Sequence, residues 1–433
     1  MIVKCRVAVL IAVALLVALV VPIFALQHGT IFSFVHDEST RISETHVDHD
    51  PISIVGNVDF LNQAFAEGWP GTGTESDPII ISGLRIQYSG HMFRVIDSDL
   101  HFEFTDNILN GIDQTWCGLY IANSSNGKVI NNTIYNAAAG IHVLWINDTV
   151  ITSNKVFENS NAGIAFERAC HRNNISWNSV HSNFYFGIGL DYNSTANVVH
   201  NNLITNTLGN GVMLWDDSYL NQIYNNTIFE NNGSGVTIRG HHQRVYDNVI
   251  ANNTQDGILV SASFCQIENN TLLGNSRSGV HMYTFWDDEV GNEISGNSIL
   301  SNGRYAVDIG ARCDNNTVEY NNIIDNCEGS QVCDNGLHNV IRHNYWNPWN
   351  ATDTDFNGIV DYPYLALGSS ENVDSSPALE PFDGLPTDYV FSPNAASEVQ
   401  DSDSQPYEAI FVASVGILIV ALAVWRLRKR DFS

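Results

Sequence analysis

Residues 202–238 read NLITNTLGNGVMLWDDSYLNQIYNNTIFENNGSGVTI. Two markers occur twice in this stretch, 24 residues apart: an Asn followed two places later by a large apolar residue (Asn202, Ile204; Asn226, Ile228), and a Gly opening an apolar-x-apolar triplet (Gly211, Val212, Leu214; Gly235, Val236, Ile238). Working outward, the Asn column runs through Asn107, Asn132, Asn154, Asn178, Asn202, Asn226, Asn248, Asn270, Asn297, Asn322 and Asn344, in steps of 22 to 27 residues. The Gly column runs in phase through Gly118, Gly140, Gly163, Gly187, Gly211, Gly235, Gly257 and Gly279, with Ala306 as a variant last member. Two markers with one period mean one supersecondary unit per period.

Within each unit the apolar residues alternate, as at Ile141 and Val143 or Ile258 and Val260. That is the period of strands. Strands recurring this closely leave no room for a crossover helix, so each pairs with its equivalent one turn on, about 4.8 Å away. The sequence therefore predicts an all-β fold, a right-handed single-stranded parallel β-helix of about ten to eleven coils, roughly 48 Å long. Of the 50 asparagines, 45 lie between residues 101 and 350. Asn tolerates the left-handed backbone of a bend, and stacked amides can bond from turn to turn. A structural ladder of Asn132, Asn154, Asn178, Asn202, Asn226, Asn248 and Asn270 is expected. Eleven N-x-S/T sequons (Asn123, Asn131, Asn147, Asn174, Asn193, Asn225, Asn232, Asn252, Asn269, Asn315, Asn350) also occur, several beside the ladder, and some are expected to carry sugar.

The 433 residues carry 19 basic and 47 acidic side chains, a net charge of -28. No basic face exists to displace counterions from phosphates, so nucleic acid is excluded as a partner. Lys4 and Arg6 precede an apolar run to Leu26, a signal peptide or signal anchor over 1–26. A second apolar run, 409–425, ends in Arg426, Leu427, Arg428, Lys429 and Arg430 and reads as a transmembrane helix with a basic cytoplasmic tail, 426–433. The bulk of the chain is then extracellular at the cell membrane. Between these ends the sequence predicts a polar spacer (27–56), an N-terminal cap with a short amphipathic helix of Val58, Phe60, Leu61, Ala64 and Phe65 (57–83), repeats (84–349), an acidic C-terminal cap (350–385) and a stalk (386–408).

Gly68-Trp69-Pro70-Gly71-Thr72-Gly73-Thr74 with Asp77-Pro78-Ile79-Ile80-Ile81 at the opening, and Asn344-Tyr345-Trp346 with Gly358-Ile359-Val360-Asp361-Tyr362-Pro363-Tyr364 at the close, resemble the NosD-like right-handed β-helix proteins over about residues 57–382. The class is also grouped as carbohydrate-binding proteins and sugar hydrolases. The resemblance implies the solenoid fold and leaves several functions open: glycan binding, polysaccharide hydrolysis or elimination, a structural surface or adhesion spacer, and a copper-related accessory role.

Three constellations carry chemistry. Asp353, Asp355, Asn357, Gly358, Ile359 (by its carbonyl) and Asp361 offer the alternating oxygens and tight turn of a calcium loop, which would staple the C-terminal cap; no organic cofactor is expected. On the outer surface, residues after the Gly column line up rung by rung. Trp145, Glu167, Arg168, Tyr192, Trp215, Arg239, Tyr283 and Trp286 are the glycan-binding candidates there, with His142 among them. Asp191, Asp216, Asp217 and His241 are the catalytic candidates, because carboxylates one coil apart have the spacing of glycosidic acid and base pairs. The Asn-Thr-Asp, Gly-His-Gly and Arg-Ile-Lys triplets of pectin-cleaving β-helices are absent. Fifteen His but four Met, with only His241 and His242 adjacent, offer no clustered copper site. Cys327 and Cys333 are close enough to bridge in an oxidising compartment, whereas Cys170, Cys265 and Cys313 read as buried thiols. Oligomeric state leaves no mark in the sequence.

Overall fold

A computed structural model describes residues 46–387, apart from 285–287, 327–329 and 350. Three parallel sheets of 13, 12 and 12 strands stack along one axis. The first sheet runs from Val47–Asp48 to Tyr345–Asn347, the second from Ile52–Val55 to Val332–Asp334, and the third from Ile79–Ser82 to Val340–Arg342. Successive windings lie in register, as in Ile164 opposite Ile188, Ile188 opposite Val212, and Val212 opposite Val236. These four side chains are fully buried, so the residue after each column glycine points into the rod. The glycine itself is required by close approach. A Cβ on Gly211 would sit 2.6 Å from the Gly235 carbonyl oxygen and 2.5 Å from a methyl of Ile228.

The β-helix starts earlier than the repeat markers do. Val47–Asp48 and Ile52–Val55 are rungs inside the expected spacer, and Ile79–Ser82 is a rung inside the expected cap. These rungs bury Ile52, Ile54, Ile79 and Ile81, and the strands that follow bury Phe93, Phe102 and Phe104. Phe93 and Phe104 stack with ring centroids 4.0 Å apart. The helix spans Gly56–Glu67 and ends at Gly68, whose φ of 71° suits glycine. It buries Phe60 and Ala64, whereas Val58, Leu61 and Phe65 face solvent, so its apolar contribution is narrower than expected.

The asparagine ladder forms, with one correction and one extension. Asn202 donates through Nδ2 to Asn226 Oδ1 at 3.0 Å, and Asn226 does the same to Asn248. Near the end the chain runs Asn297, Asn321, Asn344. Asn322, the expected member, instead meets the backbone of Phe382. The ladder residues do not take the left-handed backbone; the residue before each does, as at Asn131, Trp177, Asn201, Asn225 and Asn269. The bend and the ladder are thus divided between two neighbours, and only the ladder position demands an amide. Two further ladders occupy other corners, one through Asn173, Asn197 and Asn221 and another through Asn231, Asn253, Asn275, Asn302 and Asn326.

The far end is closed chemically as well as sterically. Asp374, fully buried, accepts from the Asn344 and His343 amides and from Trp346 Nε1, taking the place of the next ladder residue. Trp346 stacks on Tyr364 at 3.8 Å, and Trp349 meets Tyr364 edge-on. Among the described residues no helix is long and apolar enough to cross a membrane. Both apolar runs expected to do so, 1–26 and 409–425, lie outside the described residues. Cys170, Cys265 and Cys313 are buried free thiols as expected; Cys333 is free as well, and its suggested partner Cys327 lies outside the described residues.

Candidate functional site

Side chains on the outer face of the second sheet fall into columns, because alternate residues of every strand point outward at the same phase. One column reads Cys117, Ala139, Ala162, Phe186 and the next reads Tyr120, His142, Ala165, Gly189, Met213. Small residues in the middle of both columns open a cleft of about 200 Å³. Its floor is Ala139, Ala162, Ala165 and Gly189, its walls are Tyr185, Phe186 and Trp215, and its polar groups are Cys117, His142, Glu167 and Asp191. A Cβ on Gly189 would lie 2.5 Å from the Phe186 ring, so glycine lets that ring fold down over the sheet.

The polar groups form a chain across the strands. Cys117 Sγ lies 3.5 Å from His142 Nδ1, and His142 Nε2 lies 3.3 Å from Glu167 Oε2. Burial by itself would push the Cys117 thiol up, but hydrogen bonds and charge from His142 and His91 outweigh it and bring it down to about 7. Burial likewise opposes a charged His142, yet the thiol and Glu167 raise it to about 9. Glu167 is held below the usual carboxylate range by its contact with His142. Asp191, one winding on, moves the other way. Burial, together with the charges of Glu167 and Asp216, lifts it to about 6 despite the Tyr192 amide that its carboxylate accepts. Two carboxylates on neighbouring windings are therefore shifted in opposite directions, and Asp191 keeps its proton to a higher pH than Glu167.

The expected site residues are spread over several places on the surface. Glu167, Asp191 and Trp215 line the cleft, and the Arg239 guanidinium lies 5.3 Å from the centre of the Trp215 ring. Tyr283 stands further along the same face, 5.9 Å from His281. Asp217 and His241 lie around the corner, in a groove of about 600 Å³ with Tyr219, His242 and Phe264. Asp216 is exposed between the two and reaches Asp191 only by its charge. Trp145 belongs to a third, polar groove with Asn57, Asp97, Asp99, Asn123 and Asn147, and carries the Arg168 guanidinium over its ring at 5.4 Å. Tyr192 is an exposed corner residue, and Trp286 lies outside the described residues. The four catalytic candidates thus do not share one site. The bend after each strand splits Asp191 from Asp217 and His241. Cys117 stands before its column glycine, off the stripe of residues that follow the glycines, and its mark in the sequence is its phase with Ala139 and Ala162.

In the C-terminal cap, carboxylate oxygens of Asp353, Asp355 and Asp361 lie within 4.8 Å of one another. Asp353 Oδ2 accepts from the Gly358 amide at 2.8 Å, and Asp361 Oδ2 accepts from the Thr354 amide at 2.7 Å. Asn357 Oδ1 accepts from the Ile359 amide.

A family described as "right handed beta helix region" matches residues 71–228, and one described as "periplasmic copper-binding protein (NosD)" matches residues 210–368. Among solved structures, the A-module of the mannuronan C-5 epimerase AlgE6 from Azotobacter vinelandii superposes with a TM-score of 0.50 at 14% identity, covering 67% of this chain and 94% of that one. The periplasmic alginate epimerase AlgG gives a TM-score of 0.44 at 13% identity over 69% and 85% of the two chains. An alginate lyase from Paenibacillus gives 0.44 at 15% identity over 60% and 96%. At these identities the likeness is one of fold. No curated protein matches the sequence. Copper asks for imidazole or sulfur donors. The Asp353, Asp355 and Asp361 oxygens, which lie mutually within 4.8 Å, are all hard donors and do not fit copper. Windings in register through the span of both family matches place the chain among the NosD-like right-handed parallel β-helix proteins.

Proposed function

We propose that the protein binds an extended glycan across the outer face of the second sheet, seated in the cleft beside Trp215. The observation that carries this reading is the combination of an alanine and glycine floor with the Tyr185, Phe186 and Trp215 rings and the Glu167 and Asp191 carboxylates. Aromatic faces stack on the C–H faces of sugar rings, while carboxylates accept from hydroxyls. Arg239 over Trp215 adds a positive charge for an acidic sugar. Glycan-array binding by the wild type, lost in Trp215→Ala, tests the reading; an array blank for the wild type refutes it and leaves the structural spacer.

The second reading is a polysaccharide hydrolase or lyase. The opposed shifts of Glu167 and Asp191 favour it, since a carboxyl that keeps its proton up to about pH 6 beside a carboxylate held ionised is the pairing that glycosidic cleavage uses in mildly acidic solution. Asp191 is then the acid. Release of reducing ends or of unsaturated product, abolished in Asp191→Asn, tests it. We also propose that calcium bridges Asp353, Asp355 and Asp361 to staple the cap, and that the chain is displayed outside the cell, tethered through 409–425. The hard oxygen donors and the basic cluster after the apolar run support these two readings.

A further inference from the structure

We infer that Cys117, His142 and Glu167 act as nucleophile, base and orienting carboxylate in transferring the acyl group of a carboxylic ester to water. The geometry is that of a triad laid across three windings. One imidazole faces the sulfur through Nδ1 at 3.5 Å and has the Glu167 carboxylate 3.3 Å from Nε2, an ion-pair contact whose angle makes no hydrogen bond as it stands, so Glu167 acts on the imidazole through its charge. The sulfur lines the cleft, whose floor of alanines has room for a small acyl chain. His91, packed between Trp116 and Tyr120, supplies a second imidazole next to the sulfur. The other described thiols contrast with it: burial pushes Cys170 up to about 11 and Cys265 and Cys313 up to about 12, and raises Cys333. Cys117 alone among them is brought down, to about 7, so a large share of it is thiolate beside imidazolium at neutral pH.

The steps balance with water as the only co-reactant. The thiolate attacks the ester carbonyl carbon and forms a C–S bond. The C–O bond then breaks, and the departing alcohol oxygen takes the proton from His142 Nδ1. Water, losing a proton to the same nitrogen, attacks the thioester, the C–S bond breaks and the thiolate is restored with release of the carboxylic acid. Only the identity of the ester as a substituent of the bound glycan rests on the function proposed above.

The full chain is mixed with p-nitrophenyl acetate as the probe. The expected result is a burst of p-nitrophenol followed by turnover, an acetyl group on the Cys117 peptide after acid quench, and loss of both in Cys117→Ala. His142→Gln lowers turnover about 100-fold or more, the scale of a lost general base. Glu167→Gln moves the pH profile of turnover, which a merely structural contact would not do. Stoichiometric alkylation of folded wild type also abolishes the reaction, so a misfolded variant does not decide the outcome. Release no faster than from Cys117→Ala, or acetyl found elsewhere, overturns the inference. A wild type positive on the glycan array but without ester turnover refutes this inference alone; turnover with a blank array refutes the glycan reading alone.

Discussion

Replacing Asn202 by Ala, compared with the same change at Asn201, separates the ladder from the bend. Asn202 Nδ2 donates to the Ile175 and His200 carbonyls at 2.9 and 3.0 Å and to Asn226 Oδ1 at 3.0 Å. Its Oδ1 accepts from the Asn178 amide at 2.9 Å and from Asn178 Nδ2 at 3.0 Å. Alanine leaves the buried Asn178 amide without a partner, roughly 1–3 kcal/mol, and forfeits further bonds worth about 1 kcal/mol each net. Asn226 Oδ1 keeps the Asn202 backbone amide, and Asn178 Nδ2 keeps the Ile151 carbonyl, so the full count is not lost. The expected destabilisation is about 3–5 kcal/mol. Asn201, at a φ of 55°, has no ladder bond, so Asn201→Ala costs only the left-handed strain, about 1 kcal/mol, and Asn201→Gly relieves it. Equilibrium urea unfolding reads the difference, with the slope checked for constancy. Equal destabilisation by the two alanines, or a cost below about 1 kcal/mol for Asn202→Ala, would refute the assignment of the ladder as the stabilising column.

Four further outcomes follow from the site and the cap. Trp215→Ala abolishes glycan retention while thermal stability stays near wild type, read by array and by calorimetry on one preparation. Alkylation of Cys117 by iodoacetamide rises with a midpoint near pH 7 in the wild type and moves toward the ordinary thiol value of 9 in His142→Gln; an unmoved midpoint excludes the imidazole as the cause. Asp191 binds its proton more tightly folded than unfolded, so its ionisation erodes stability as pH rises from 3.8 to about 6. Asp191→Asn should therefore raise the melting temperature above pH 6 and leave it unchanged below the ordinary value of 3.8, and the reverse order would show the carboxylate to be stabilised by folding. Calcium at about 100 times its Kd should stabilise by roughly 2.7 kcal/mol and EGTA should reverse it, with no effect expected of Asp353→Asn protein; an unchanged melting temperature in wild type removes the proposed staple.

The division between what was legible and what was not follows particular residues. Gly211 and Gly235 mark the repeat because a Cβ there collides with the next winding, so their spacing reports the stacking distance directly. The rungs before residue 84 carry neither marker: Ile52, Ile54, Ile79 and Ile81 fill the core there with no column glycine or asparagine beside them. Asn321 and Asn322 are indistinguishable in a list of residue types; which one is buried in the ladder depends on a backbone twist of one residue. Trp145 and Trp215 share an expected stripe yet lie in different grooves, because Trp145 itself takes the left-handed turn at a φ of 50°.

By itself the sequence determined the solenoid, the alternation of its strands and its acidic composition, since each is a consequence of periodicity and composition that every winding repeats. Only the tertiary structure decided that Cys117, His142 and Glu167 meet, that Asp191 parts company with Asp217 and His241, and that Asp374 ends the ladder. Those contacts join residues some 25 positions apart through the lateral register of neighbouring windings. Register fixes which side chains share a column, and the corner bends fix where a column ends; neither quantity is written in any single repeat.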